Sequence, residues 1–364
     1  MKLLILKENN LIENRVALTP DLVSKFSNIG FEVLIEKGAG ANCGFGDDLY
    51  KAQNVKIIDK INKILPDIDI IISVQRHDID FSICKENLVF ISILNPLINK
   101  DAVKKLNKFK INIFSLDLLP RITRAQSMDV LSSQSNLAGY RAVIDGVYEY
   151  QRAVPMMMTA AGTVSAAKFM IIGAGVAGLQ AIATAKRLGG IVCAFDVRSS
   201  AKEQVKSLGA KFIEVNSEEK IDSVYAKEMS ADYQKKQKEL LIKNIANQDI
   251  VISTALIPGK KAPIIITKDM VKLMKPGSVV VDLAVVNGGN CEISKLDQIT
   301  EFNNVKIIAH SNYPSRIASD CSKLYAKNIY NFIEFLFDKE LNKINIDHDD
   351  EIIQKTSIKN INLS

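Results

Sequence analysis

Three glycines, Gly173, Gly175 and Gly178, stand in the order Gly173-Ala174-Gly175-Val176-Ala177-Gly178. A G-x-G-x-x-G spacing alone is a weak signal, and its context decides what it means. Here it follows an apolar run, Lys168 to Ile172, opens a helical stretch from Val176 to Leu188, and is followed by a second apolar run that ends in Asp196, eighteen residues beyond Gly178. That context is the fingerprint of a dinucleotide site. The first glycine permits a tight turn, the second lets backbone approach a pyrophosphate, and the third lets helix and strand pack closely. The helix N-terminus adds free N–H groups and the positive end of its dipole. Asp196 is placed to accept hydrogen bonds from the adenosine ribose and to repel a 2′-phosphate, which selects NAD(H) over NADP(H). Arg198 works the other way, because an arginine there can welcome a phosphate.

A second concentration of polar groups lies in Pro120-Arg121-Ile122-Thr123-Arg124-Ala125-Gln126-Ser127-Met128-Asp129. Guanidinium, amide, hydroxyl and carboxylate crowd into one short loop. The composition fits a ligand-holding loop at a domain junction, and equally a solvated linker tied by local ion pairs. Metal and acid–base constellations find no support. His77, His310 and His348 pair with no Asp or Cys at a metal or triad spacing, and His310 reads as a strand-end residue. The five cysteines, Cys43, Cys84, Cys193, Cys291 and Cys321, lie far apart with no C-x-x-C, so free thiols in a reducing compartment are expected.

These groups need a scaffold, and the 364 residues suffice for two domains. Short Ile-, Val- and Leu-rich runs at Leu3–Ile5, Glu32–Ile35, Val55–Ile58, Asp69–Val74, Leu88–Ile93 and Ile111–Leu116 alternate with helical segments. The pattern repeats at Lys168–Ile172, Ile191–Asp196, Lys211–Val215, Asp249–Ser253, Ser278–Leu283 and Val305–Ala309. Continuous apolar strands separated by helices mark parallel sheets covered on both faces. The expected fold class is α/β, with two Rossmann-like, doubly wound parallel-sheet domains flanking a nucleotide-binding cleft. The first domain is expected over 1–130 and completed by 316–364; the second, the Rossmann NAD(H)-binding domain, over 131–315.

Bridging helices are predicted from Asn136 to Arg152 and from Arg316 to about Phe337, the latter with Ile329, Phe332, Ile333 and Leu336 on one face. Thr19-Pro20-Asp21 predicts a helix start with a capping hydroxyl. The polar stretch from Asn216 to Gln248 lacks a strand signal, and Tyr225 to Met229 reads as a mobile excursion over a site.

Composition narrows the function classes. The net charge of +6 is spread among interspersed acids and bases, and Lys235, Lys236 and Lys238 read as a solvated helix face, so nucleic-acid binding is not expected. The first apolar run is too short for an export signal. The longest apolar stretch, Phe169 to Ala185, is broken by Gly173, Gly175, Gly178 and Gln180, which fits a strand-turn-helix and not a membrane span. A cytoplasmic chain is expected.

Several segments carry a resemblance. Arg121 to Asp129, Ser132-Ser133-Gln134-Ser135-Asn136-Leu137-Ala138-Gly139-Tyr140-Arg141, Pro155-Met156-Met157-Met158-Thr159-Ala160-Ala161-Gly162-Thr163 and Thr254-Ala255-Leu256-Ile257-Pro258-Gly259 together resemble the NAD(H)-binding component of the proton-translocating nicotinamide nucleotide transhydrogenases. The resemblance implies that the loop from Arg121 closes on the nicotinamide end, with Arg121, Gln126, Asp129 and Ser132 holding carboxamide and ribose, and Ser127 and Met128 in the same loop. It implies that Val176, Asp196, Val197 and Arg198 contact the pyrophosphate and adenosine, and that Gln237 and Leu256 complete the pocket. Tyr225 falls in the family's mobile loop, where Val224 replaces a glycine common in relatives. It also implies a homodimer, peripheral at the cytoplasmic face, whose membrane-embedded subunits and NADP(H)-binding beta subunit are separate chains.

Arg15-Val16-Ala17-Leu18-Thr19-Pro20 is similar also to the alanine dehydrogenases, which need a substrate-binding lysine, a catalytic histidine and a catalytic aspartate. At the matching strand ends stand Gln75, Asn95 and Val286. None of these can act as the general base that oxidation of an amine or alcohol requires. Hydride transfer between two nicotinamide rings requires only that the rings be close and shielded from water. The alternatives are an amino-acid dehydrogenase of the alanine dehydrogenase type and a non-catalytic NAD(H)-binding module that senses redox state.

Overall fold

The computed structural model describes residues 1–8, 11–215, 231–257 and 260–361. The chain divides into two compact units: Met1–Gln134 with Pro314–Ser364, and Ser135–Tyr313. The division falls inside one long helix, Val130–Tyr150.

In the first unit, β1 (Lys2–Ile5), β2 (Glu32–Glu36), β3 (Lys56–Ile58), β4 (Ile70–Gln75), β5 (Val89–Ile93) and β6 (Asn112–Ser115) form one sheet in the order β3-β2-β1-β4-β5-β6. Every neighbouring pair is parallel. The apolar runs are continuous because both faces are buried: Leu3, Ile5, Ile70 and Ile72 enter one core, while Leu4, Ile71, Phe90 and Ile113 enter the other. The first of these cores also takes Ile329, Phe332, Ile333 and Leu336 from the helix Ala318–Leu336. Chain from beyond residue 313 therefore completes the unit that begins at Met1.

The helix Pro20–Asn28 has Thr19 at its N-cap and Pro20 at its first position, but the expected hydroxyl cap is absent. The Thr19 side chain is fully buried with its oxygen unpartnered, so burial in the core has overridden capping.

In the second unit, β9 (Lys168–Ile172), β10 (Ile191–Phe195), β11 (Lys211–Ile213), β12 (Ile250–Ser253), β13 (Val279–Asp282), β14 (Gln298–Phe302) and β15 (Val305–Ala309) lie in the order β11-β10-β9-β12-β13-β15-β14. Six strands are parallel and β14 runs antiparallel at the edge. Sequence periodicity misses β14 because only alternate positions are even partly buried, as an edge strand allows. It also misses a small hairpin, β7 (Met157–Thr159) with β8 (Gly162–Val164), whose residues are all exposed. Strand order reverses between β9 and β12. At such a switch point flanking connections leave in opposite directions, and ligands enter beyond the strands' carboxyl ends.

Candidate nucleotide site

The glycine turn lies at that point. Gly173 leaves β9 with φ of 92°, a left-handed conformation in which a side chain is strained. A Cβ on Gly178 would lie 1.8 Å from the Gly173 carbonyl oxygen, so only glycine lets the helix Val176–Arg187 start against the turn. Gly175 differs, because a Cβ there would meet nothing within 4 Å. It is the N-cap of that helix, and no side chain caps the helix in its place. The first-turn N–H groups thus keep the anion-binding character of an open helix terminus, with the Val176 side chain exposed beside them. These features fit a dinucleotide pyrophosphate.

The turn is braced from β12. The Thr254 hydroxyl contacts the Gly173 carbonyl oxygen at 3.1 Å, and the segment that carries exposed Leu256 is held by Asn290. The fully buried amide of Asn290 accepts from Ser253 Oγ and the Ala255 N–H, and donates to the Ala255 and Pro263 carbonyls. Sequence reasoning did not single out Asn290. Its only local signal is an asparagine directly after Gly288-Gly289.

Asp196 follows β10, as expected, yet its carboxylate is already engaged. One oxygen accepts from the Ala174 N–H at 2.7 Å and from an Arg198 terminal nitrogen at 2.9 Å; the other accepts from the Arg198 N–H and Nε at 2.8 and 3.0 Å. Burial pushes the carboxyl upward, but hydrogen bonds from Arg198 and Ala174 outweigh it and hold the group below the usual aspartate range. The expectation of a carboxylate open to ribose is corrected in this respect: Asp196 holds the turn itself. Arg198 is folded onto it and is not extended toward a phosphate. Val197 packs partly buried against the core, and Gln237 is half-buried on the helix Ala231–Ile245. Tyr225 and Val224 lie outside the described residues.

The first unit carries the other predicted residues. Ala125 and Met128 are buried in its core, which pins the loop and leaves Arg121, Gln126 and Ser127 exposed. Met128 is thus an anchor, and its side chain is not presented to a ligand. Among the described residues, the side chains of Arg121 and Gln126 make no hydrogen bond to protein. Asp129 and Ser132 instead bond to each other. Asp129 accepts from the Ser132 N–H at 2.9 Å and from its hydroxyl at 2.6 Å, which is N-cap geometry. That cap explains why the helix begins at Val130 and not at Asn136.

The three strand ends offer no general base. Gln75 ends β4 and donates its amide to Glu13 at 3.1 Å. Glu13 also takes Arg15 in a buried, two-point ion pair, with contacts of 2.8 and 2.6 Å, and Arg15 donates further to Gln134. Burial opposes the Arg15 charge, but the attraction of Glu13 outweighs it and raises the guanidinium pKa. A guanidinium so neutralised has no spare charge for a substrate carboxylate. Asn95 takes φ of 48° in an exposed turn, a conformation asparagine tolerates, and Val286 is 59% exposed. Among the described residues there is no group of His, Cys, Asp and Glu suited to a metal, all five cysteines are free, and no helix is long and apolar enough to cross a membrane.

Comparison with known proteins agrees with this geometry. Residues 4–138 match the family model described as alanine dehydrogenase/PNT, N-terminal domain, and residues 142–361 match its C-terminal domain counterpart. The chain is 48% identical to an NAD(P) transhydrogenase subunit alpha chain of Rhodospirillum rubrum, over 98% of this chain and 96% of that one. It is 28% identical to alanine dehydrogenase 1 of Staphylococcus aureus, over 94% and 89%. The crystal structure of a transhydrogenase from Sinorhizobium meliloti superposes with a TM-score of 0.89 at 46% identity, covering 98% of each chain.

Proposed function

Since the chain belongs to the alanine dehydrogenase/PNT family, we propose that it binds NAD(H) and presents it for direct hydride transfer to NADP⁺ held by a partner subunit, in an assembly that couples the transfer to proton translocation. The observation that carries this reading is the state of the three strand ends. Gln75 is consumed by Glu13, Asn95 makes a turn and Val286 is aliphatic, so no residue there can take a proton from an amine or alcohol. The bound nicotinamide would itself supply the hydride. What the protein must then supply is positioning and the exclusion of water.

In this reading the open helix terminus at Gly175 and Val176 takes the pyrophosphate, Asp196 with Val197 and Arg198 takes the adenosine side, and Leu256 and Gln237 border the pocket. Arg121 and Gln126, the two loop side chains without protein partners, take the nicotinamide end beside Asp129 and Ser132. The NADP(H)-binding and membrane-embedded subunits are further chains, which gives this one a peripheral place at the cytoplasmic face. A homodimer would use the hairpin β7–β8, where Met156, Met157, Met158 and Val164 expose apolar surface.

Mixing the purified chain with membranes carrying the partner subunits should give NADH-dependent reduction of an NADP analogue, and L-alanine with NAD⁺ should give no NADH. No transfer to the analogue despite tight NADH binding would point to a redox-sensing module. NADH formed from alanine would restore the amino-acid dehydrogenase reading.

A further inference from the structure

Two asparagines of the helix Ala318–Leu336 reach one carbonyl in the 121–132 loop. Asn328 and Asn331 each donate a side-chain N–H to the Ser127 oxygen at 2.8 Å, filling both of its lone pairs. Asn328 does more. It is 8% exposed, and its own oxygen accepts from the Ser133 hydroxyl at 2.7 Å. The amide therefore bridges Ser127 and Ser133, and the chain between those ends holds Met128, Asp129 and Ser132.

From the other side, Gln134 donates to the Ser133 hydroxyl at 3.3 Å and accepts from Arg15 at 2.7 Å, so the bridge is continuous with the Glu13–Arg15 pair and Gln75. The loop's other distant tether, Arg124 to Asp350, involves an exposed arginine. Exposed pairs of that kind contribute little rigidity. Asparagine is also a poor residue for a helix interior, so packing alone does not account for two of them on one face.

We infer that Asn328, with Asn331, is a positioning residue for hydride transfer: by clamping the Ser127 carbonyl it fixes the backbone from which Gln126 and Asp129 project. This rests on the reading that the loop holds the nicotinamide. Neither asparagine touches the loop's ligand-facing side chains, so the clamp acts on their placement and not on their chemistry. Nicotinamide placement sets the transfer rate, whereas most NADH affinity arises at the glycine turn. Loss of the clamp thus lowers the rate and spares binding.

Asn328→Asp keeps the acceptor for Ser133 but turns an oxygen toward the Ser127 carbonyl. In the complete assembly it should slow transfer about tenfold or more, with NADH affinity of the purified chain within about threefold of the parent. The Met128 methyl resonance, in methionine-labelled chain, should shift while those of the second unit stay in place. Combined with Gln126→Ala, the loss should fall well short of the product of the two single losses, because both variants act on one placement. Asn331→Ala removes one donor at a half-buried position and should slow transfer about threefold, which tests the clamp should Asn328→Asp fail to fold.

A full rate in either variant, equal losses of rate and affinity, or an unmoved Met128 signal in Asn328→Asp would overturn the inference. The Gln126→Ala control separates the two levels. If it alone slows transfer, the clamp is wrong and the loop reading stands; if it transfers at the parental rate, the loop reading itself fails and the clamp with it.

Discussion

The glycine turn at 173–178 and the loop at 121–132 hold their working groups by opposite means. In the turn the groups are backbone N–H donors, aimed by local geometry: a left-handed Gly173, an uncapped helix start and a Gly178 too close to its neighbour for any Cβ. In the loop they are side chains, Arg121 and Gln126, carried on backbone that is held by buried Met128, by the Asp129 cap and by asparagines two hundred residues on. A turn of the first kind is rigid because alternatives are sterically forbidden. A loop of the second kind is placed by hydrogen bonds that single substitutions can remove one at a time. Damage to the turn should therefore appear as lost structure or lost affinity, and damage to the loop as lost rate.

The largest effect expected is that of Gly178→Val. The added carbon meets the Gly173 carbonyl oxygen at 1.8 Å, backbone against backbone, with no flexible side chain to yield. Overpacking of this severity costs about 3 kcal/mol or more, and NADH binding should vanish along with the cooperative melting of the second unit. A variant that melts normally would show that the helix start can move away from the turn. Gly175→Ala provides the contrast inside the same motif. With open space around the new methyl and φ of −77°, thermal stability should stay close to that of the parent, while NADH affinity falls about tenfold as the methyl occupies the pyrophosphate's approach. Unchanged affinity by calorimetry would remove the phosphate from this helix terminus.

The two regions also differ in how far they are legible in the sequence. The turn's requirements are local, so glycine spacing, a preceding strand and a carboxylate at the end of the next strand display them. Both sheets are legible for a similar reason: strands buried on both faces must be apolar at every position, as at Ile70–Val74 and Val279–Val281. The exposed hairpin and the edge strand Gln298–Phe302 carry no such demand and leave no pattern. Within the candidate site, residue types are legible and their partners are not. That Asp196 would be taken by Arg198 depends on a rotamer, and that Asn328 would reach Ser127 depends on the chain returning to its first core after residue 313.

A smaller effect is expected at Asp129, which serves two purposes. As the cap of the helix Val130–Tyr150 it accepts from the Ser132 N–H, and Asp129→Ala should lower stability by about 1 kcal/mol, read as a small fall in melting temperature. Transfer in the complete assembly should slow by more than that cap loss explains, with NADH affinity little changed. Asp129→Ser retains a capping oxygen and should recover the stability without recovering the rate. Recovery of both would make Asp129 a cap and nothing more, and would leave Arg121 and Gln126 as the loop's only ligand-facing candidates.

The smallest effect sharpens the other side of the comparison, because Asp196 belongs to the turn but works through a side chain. Its carboxyl is held below the ordinary aspartate range by Arg198 and Ala174, the gain from those hydrogen bonds exceeding the burial that opposes it. A group depressed in this way contributes stability that is present in full above the unfolded-state pKa, about 4, and is lost as pH falls through the lower folded-state value. The parent should therefore exceed Asp196→Asn in stability by a constant margin at neutral pH, and the margin should shrink only in acid below about pH 4. Denaturant unfolding of both chains across pH 3 to 7 measures it. A margin that decays already between pH 7 and 5 would mean that the carboxylate is not held by Arg198. Asp196 would then be free for a ribose, and the turn would owe its rigidity to its glycines alone.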